Sequence, residues 1–355
     1  MKKIGFLFTI VFIAAFTVGE KTTQNNSQNM DTNNEELKSA IGKVFGFYNV
    51  ENLFDTIDDK YTIDEQFLPG SEKEWNTKKY FDKLSKLAKV ITAMDEELPV
   101  FMGFAEIENK AVILDLISNT NLNAGKYGVV HYESPDKRGI DVGFMYRKEY
   151  FMVKHSESME VTLSNNPDFA TRDILYIQGE MKGEDEVHVF LNHWSSRREG
   201  EKKTEPKRVK AATVLRSKVD EILKENASAK IIIMGDFNDY PTNKSVYEVL
   251  KAKGTPAFKG DDLFNMAYKL EQADKGTYNY KGDWGMLDQL IISRGLYNPE
   301  KGVEVSYDQC KILDKAWMMY TDKKYGDKKP SKTYGGPNYY GGYSDHLPIY
   351  SRFEE

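Results

Sequence analysis

Several short stretches pair apolar runs with side chains able to do chemistry. In "GGYSDHLPIY" (341–350), Asp345 stands beside His346, and the 355 residues contain only five His. In "IIIMGDFND" (231–239), a run that would bury itself as a strand releases Asp236 and Asn238. Residues two apart on a strand share a face, so this pair converges on one ligand if the extended geometry persists that far. The carboxylate can take a proton from water, and the amide can donate to a phosphoryl oxygen. The same residues also suit a strand end whose Asp and Asn cap a turn. "MGFAEIENK" (102–110) carries Glu106 and Glu108. A Glu closing an apolar strand is a hard-metal ligand type, and equally a solvated Glu ahead of a helix. "LNHWSSRREG" (191–200) sets His193 upstream of Arg197 and Arg198, a combination suited to phosphate. "GMLDQLII" (285–292) offers Asp288, an acid able to orient an imidazole through its ring N–H.

These side chains need a frame, and the pattern supplies one. Strands are expected at 43–50, ending on Asn49 with Glu51 just beyond, and at 100–107, 139–147, 174–181, 187–194, 230–238, 287–293 and 346–353. Residues 78–96 place Phe81, Leu84, Ala88, Ile91 and Met94 at spacings of three and four, and 205–226 place Ala212, Leu215, Val219, Ile222 and Leu223 on one face. Both read as amphipathic helices. A shorter helix is expected at 112–118, and the Gly/Tyr/Lys-rich 321–344 reads as a loop. Packed sheets with outer helices are the architecture this implies. Most strands run apolar and then end on a carboxylate, amide or imidazole, the edge where sites gather in α/β folds.

The first residues stand apart. "MKK", an apolar run and small residues near Gly19 predict a signal peptide over 1–19 and export to a periplasmic or extracellular space, with a retained membrane anchor as the competing reading. Residues 20–41 are Asn, Gln, Thr and Glu with little to bury, a polar tether, and 42–355 form one domain. With Cys310 as the only cysteine, a disulfide within the chain is impossible; "VEVSYDQCKIL" reads as a strand that buries it. The net formal charge of −6 gives no general attraction to nucleic acid and suits a site that holds a divalent cation.

Taken in order, "FYNVENLFD", "GFAEIEN", "RGIDVGFMYR", "LNHWSSR", "MGDFND", "LDQLII" and "YSDHLPI" resemble the endonuclease/exonuclease/phosphatase superfamily across residues 43–353. The style is similar to a secreted bacterial endonuclease-like branch. The resemblance implies a deoxyribonuclease-like four-layer α/β sandwich, with two central mixed β-sheets flanked by helices. It also implies Mg²⁺-dependent phosphoester cleavage, with Mn²⁺ as an alternative ion. By position, Glu106 matches the principal metal ligand, with Asp345 and Glu51 nearby, and Asn49 the residue that positions phosphate and metal. Asp236 matches the acid that activates water, Asn238 the amide on the phosphoryl oxygens, and His346 the imidazole on the scissile phosphate, oriented by Asp288. His193 matches a histidine that assists the leaving group. The implied activity is a phosphodiesterase, foremost an endonuclease on DNA or RNA by one-step attack of water. A lipid-headgroup or small-molecule phosphoesterase and a non-catalytic binding module are the alternatives. Arg197, Arg198, Lys202, Lys203, Lys207, Arg208 and Lys210 form a basic run that can track a phosphate backbone or, interrupted by Glu199, Glu201 and Glu205, be a solvated helix face. The Tyr residues of "KTYGGPNYYGGY" (332–343) can stack bases, or equally pack on the surface of a Gly-hinged loop. No stable protein partner is evident, and a monomer is expected.

Overall fold

The computed structural model describes residues 36–354, apart from 165, 183–184, 257–258, 298, 300 and 324–325. The signal peptide and residues 20–35 of the tether lie outside the described residues. The folded body takes in part of the stretch read as tether: Ala40 is buried, and Lys38 N donates to Glu149 O.

In chain order the elements that build the sandwich are β1 (Val44–Leu53), α1 (Thr77–Ile91), β2 (Phe101–Ile107), α2 (Lys110–Ser118), β3 (Tyr127–His131), β4 (Asp141–Arg147), β5 (Phe151–Met159), β6 (Ile174–Met181) and β7 (Asp185–His193). After these come α3 (Glu201–Glu225), β8 (Lys230–Asp236), β9 (Ala252–Lys253), β10 (Leu263–Asn265), β11 (Tyr278–Tyr280), β12 (Asp283–Gly285), β13 (Asp288–Ile292) and β14 (Lys311–Ile312). The last are β15 (Met319–Thr321), β16 (Lys328–Pro330), β17 (Tyr334–Gly335), β18 (Asn338–Tyr339) and β19 (Ile349–Arg352). One mixed sheet has the order β14-β19-β1-β2-β4-β3, and the other β5-β6-β7-β8-β13-β10-β9.

Strand alternation explains the layers. Phe45 and Phe47 of β1, Val189 and Leu191 of β7, Ile232 and Met234 of β8, and Leu290 and Ile292 of β13 all enter one core between the sheets. The intervening residues face outward. Val44, Tyr48, Met102 and Phe104 meet α1 and α2, while Phe190, Ile231 and Ile233 meet α3. The result is the expected four layers. The sheets approach closely at Gly103, where a Cβ would fall 2.5 Å from Leu191 Cδ2.

Four local expectations change. The buried residues of α1 are Tyr80, Lys83, Leu84, Leu87, Ala88, Val90 and Ile91, and Phe81 is 40 % exposed. Tyr80 takes the inward place because its hydroxyl donates to Asp115 Oδ2. The helix ends at Ile91, so Met94 is buried from a turn beyond it. The 321–344 stretch is not a plain loop: β15 pairs with β16 and β17 with β18. Tyr334 Oη donates to Lys73 O and Tyr339 Oη to Asp82, which pins the second pair to the α1 side of the sandwich. Around Cys310, which is buried, only Lys311–Ile312 joins a sheet.

Candidate active site

The inward rows end in polar residues at one edge of the inter-sheet core. Phe45 and Phe47 lead to Asn49, Val189 and Leu191 to His193, Ile232 and Met234 to Asp236, and Ile292 and Leu290 to Asp288. Parity alone thus points all four side chains into the crevice between the sheets. Glu106 has the opposite parity on β2 and reaches the site by breaking it. The register shifts between Ala105 and Ile107, a β-bulge that leaves Glu106 at φ 63°. Glu51, Asn52 and Asn238 are likewise left-handed, at φ 53°, 50° and 50°. Such conformations cost of order 1–3 kcal/mol each and gather at functional sites.

Asp236 is the hub. Its neighbours in register are His193 on β7 and Asp288 on β13. Asn49 Nδ2 donates to Asp236 Oδ2 at 3.0 Å, and Asn238 N donates to Oδ1 at 2.9 Å. His193 Nε2 and His346 Nε2 stand 3.7 and 3.9 Å from Oδ2. The ring of His346 is held from its other side, where Nδ1 donates to Asp288 Oδ2 at 2.6 Å. Tyr278 lies over the ring with centroids 4.9 Å apart, and Ser344 Oγ accepts from His346 N. The five groups come from both sheets, and the bonds Asn49–Asp236 and His346–Asp288 cross between them.

Charges in this corner are strongly perturbed. Burial, then the charge of Asp288, lifts Asp236 to about 6, against the pull of His346 and two N–H donors. Burial works against a charge on His346, yet Asp288, Asp236 and Asp345 hold it well above the usual histidine range. His193 is driven well below that range by burial and by Arg172 and Arg138, so it is neutral. An imidazolium beside a carboxylate poised near neutrality is a pair suited to stabilising an anion while accepting a proton.

A cation has a place beside this hub. Glu106 Oε2 accepts from Asn52 N at 2.8 Å, and Asp345 lies close enough that the Glu106 charge, after burial, raises its carboxyl. Two mutually repelling, half-buried carboxylates fit a hard divalent ion. Glu51, expected beside the metal, feels the charge of Asp345 and is also tied to the backbone. Its oxygens accept from Thr333 N at 2.6 Å and Tyr334 N at 3.2 Å, so it clamps the β17 segment to β1. Lys83 Nζ lies 3.9 Å from Glu51 Oε2 and donates to Thr333 Oγ1 and Tyr343 O.

Among the expected substrate-binding cations, Arg197 is committed elsewhere. Its guanidinium donates to Asn238 O at 2.6 Å and Asn243 Oδ1 at 2.9 Å, and it faces Asp239. It therefore props the left-handed Asn238 from behind. The basic run is also mostly spoken for: Lys203 and Lys207 pair with Glu199, and Arg208 is buried against Asp239. Arg198 is exposed and lines a cavity of about 330 Å³ together with Lys137, Thr171, Ser195, Ser196 and Lys207. Of the expected stacking tyrosines, Tyr334 and Tyr339 are anchored by their hydroxyls and Tyr340 is 62 % exposed.

Two supporting residues escape a reading of the sequence. Arg172 donates to His193 O at 3.1 Å, Trp194 O at 2.6 Å and Asp136 Oδ2 at 3.0 Å, fixing the chain at the end of β7. No local pattern marks it. Lys83 does leave a signal, a lysine within an apolar helical stripe.

Fold and site together define a phosphoester hydrolase built as a two-sheet sandwich. The chain belongs to the Endonuclease/Exonuclease/phosphatase family, whose model matches residues 44–355. Members of that family typically depend on a divalent metal. Solved structures share the fold at low identity. A humanized TDP2 from D. rerio is 17 % identical with a TM-score of 0.55, over 88 % of this chain and 99 % of that one. A mannosyl-6-phosphatase from Bacteroides thetaiotaomicron VPI-5482 is 16 % identical with a TM-score of 0.53, over 88 % and 100 %. The human Nocturnin catalytic domain is 15 % identical with a TM-score of 0.52, over 88 % and 94 %.

Proposed function

We propose that this protein is an exported, Mg²⁺-dependent phosphodiesterase that cuts DNA or RNA internally, acting as a monomer in the periplasm or outside the cell, with Mn²⁺ as a possible substitute. The observation that carries the hydrolytic reading is the arrangement around Asp236 Oδ2, with His193, His346 and Asn49 all facing one carboxylate oxygen. A phosphate seated there meets the His346 imidazolium, which donates to a non-bridging oxygen while Asp288 keeps the ring aligned. Asp236 holds the attacking water and accepts its proton. Neutral His193 contributes a hydrogen bond to the leaving side rather than a positive charge. Asn238 Nδ2 gives one hydrogen to Trp194 O at 3.1 Å, which leaves its second N–H for a phosphoryl oxygen. A divalent cation bound by Glu106 and Asp345 would neutralise charge on a phosphate oxygen.

The preference for a polymer rests on the cavity at Arg198, where Lys137, Arg172, Arg198 and Lys207 outnumber the acids Asp168 and Glu199 and could hold a further anionic unit of a chain. A second reading, a small or lipid-headgroup phosphoester, is favoured by the pairing of Lys203, Lys207 and Arg208 with acids. Supercoiled plasmid and Mg²⁺ separate the two. Nicking that disappears with chelator and in Glu106→Ala supports the nuclease. Intact plasmid, alongside turnover of a phosphomonoester or headgroup diester, overturns it in favour of the second reading. Turnover of nothing by folded, metal-loaded protein would leave a binding module.

A further inference from the structure

A second cluster lies one strand away from the site just described. His131 ends β3 and Asp141 opens β4. His131 pairs with Gly143 in register, which places Asp141 diagonally across on the same face. Glu133 follows two residues after His131. His131 Nε2 stands 3.6 Å from Asp141 Oδ2, and His131 Nδ1 stands 3.6 Å from Glu133 Oε1. One ligand atom from each of the three residues can be chosen so that all lie within 4.8 Å of one another.

Two of these groups are buried without a partner. The side chains of His131 and Asp141 are 2 % and 3 % exposed, and neither His131 Nε2 nor Asp141 Oδ2 has a hydrogen bond. Leaving such atoms unpaired costs about 1–3 kcal/mol apiece. A separation of 3.6 Å is too long for a hydrogen bond between them. It is close to the spacing of two ligands on a tetrahedral ion: at 2.0–2.1 Å from the metal, they stand about 3.4 Å apart. The other oxygen, Asp141 Oδ1, accepts from Ser134 N at 3.1 Å, so Oδ2 is the atom left to coordinate.

We propose that His131, Asp141 and Glu133 form a second metal site, for a first-row transition cation such as Zn²⁺, separate from the Glu106–Asp345 corner. One imidazole with two carboxylates favours zinc or manganese over magnesium, which prefers oxygen and water. Glu133 is solvent-exposed and gives the ion an entrance, and a water completes four-coordination. The ion would tie Glu133, at the head of the 132–140 loop, to the base of β4. That loop carries Asp136, the partner of Arg172, which in turn holds the carbonyls of His193 and Trp194. The second ion thus steadies the backbone beneath a catalytic histidine.

The test uses the Glu106→Ala protein, stripped with chelator and titrated with Zn²⁺ by calorimetry, with native mass spectrometry for stoichiometry and Co²⁺ absorption for the ligand field. One equivalent is expected to bind, with its Kd raised at least about tenfold by Glu133→Gln and its binding abolished by His131→Ala. Glu133 is at the surface, so Glu133→Gln keeps the test decisive even if His131→Ala fails to fold. No bound equivalent, or an equivalent equally tight in Glu133→Gln, overturns the proposal. The second result would put the ion elsewhere, for example among Asp236, Asp288 and His346.

Discussion

Replacing Asp288 by Asn tests the electrostatic reasoning most directly. The change preserves shape at a fully buried position and keeps the Asp288 backbone bond to Thr277 Oγ1. It removes the negative charge 2.6 Å from His346 Nδ1. A hydrogen bond to a charged partner contributes about 1.5–3 kcal/mol. If that stabilisation reaches the transition state through the imidazolium, each 1.36 kcal/mol is tenfold in rate. Asp288→Asn is therefore expected to lower kcat/KM by about ten- to a hundredfold. The sign of the pH effect also follows. Asp288 raises the histidine, so its loss moves the alkaline limb of the pH–rate profile to lower pH. The assay is initial-rate kinetics on a chromogenic phosphodiester, from pH 5 to 10, with circular dichroism to confirm folding. A folded variant within threefold of the parent, with an unmoved alkaline limb, would refute the role given to the Asp288–His346 pair.

Further outcomes are expected. Because Asp236 must be ionised to accept a proton and is lifted to about 6, kcat/KM falls as pH drops below about 6; Asn49→Ala, which removes a donor to that carboxylate, shifts the acid limb upward. Arg198→Ala raises KM for a polyanionic substrate, leaves kcat unchanged and lowers the slope of log KM against log salt by about one, whereas Arg197→Met lowers unfolding free energy by roughly 2 kcal/mol in urea melts because Asn238 O and Asn243 lose a charged donor. Gly235→Ala sets a Cβ 2.3 Å from Asn192 O, between β7 and β8, and is expected to cost about 1–3 kcal/mol in urea unfolding and to reduce kcat by displacing Asp236.

The sequence made the inner rows legible because alternation is local. A strand such as Ile231–Asp236 announces both its buried face and the polar residue at its end, and the order of such ends matched a family. Glu106 was found by its neighbours rather than by parity, since a bulge cannot be seen in a one-dimensional pattern. Arg197 and Glu51 looked like free ligands because their partners, Asn243 and the Thr333–Tyr334 backbone, are about 50 and 280 residues away. His131 drew no notice for the same reason: Asp141 becomes its neighbour only once β3 and β4 are paired. The 321–344 stretch read as a loop because its strands are two or three residues long, too short for any periodicity to register.

The proposed catalytic residues are split evenly between the two sheets, with Asn49, Glu106 and His346 on one side and His193, Asp236 and Asp288 on the other. Turnover then works as a gauge of how well the halves are aligned. A slip of an ångström between them would sever Asn49–Asp236 and His346–Asp288 while each sheet kept all its internal hydrogen bonds. On heating, activity should fade before circular dichroism changes. A ligand that wedges or clamps the sandwich anywhere along its seam would act as an inhibitor or activator without entering the crevice.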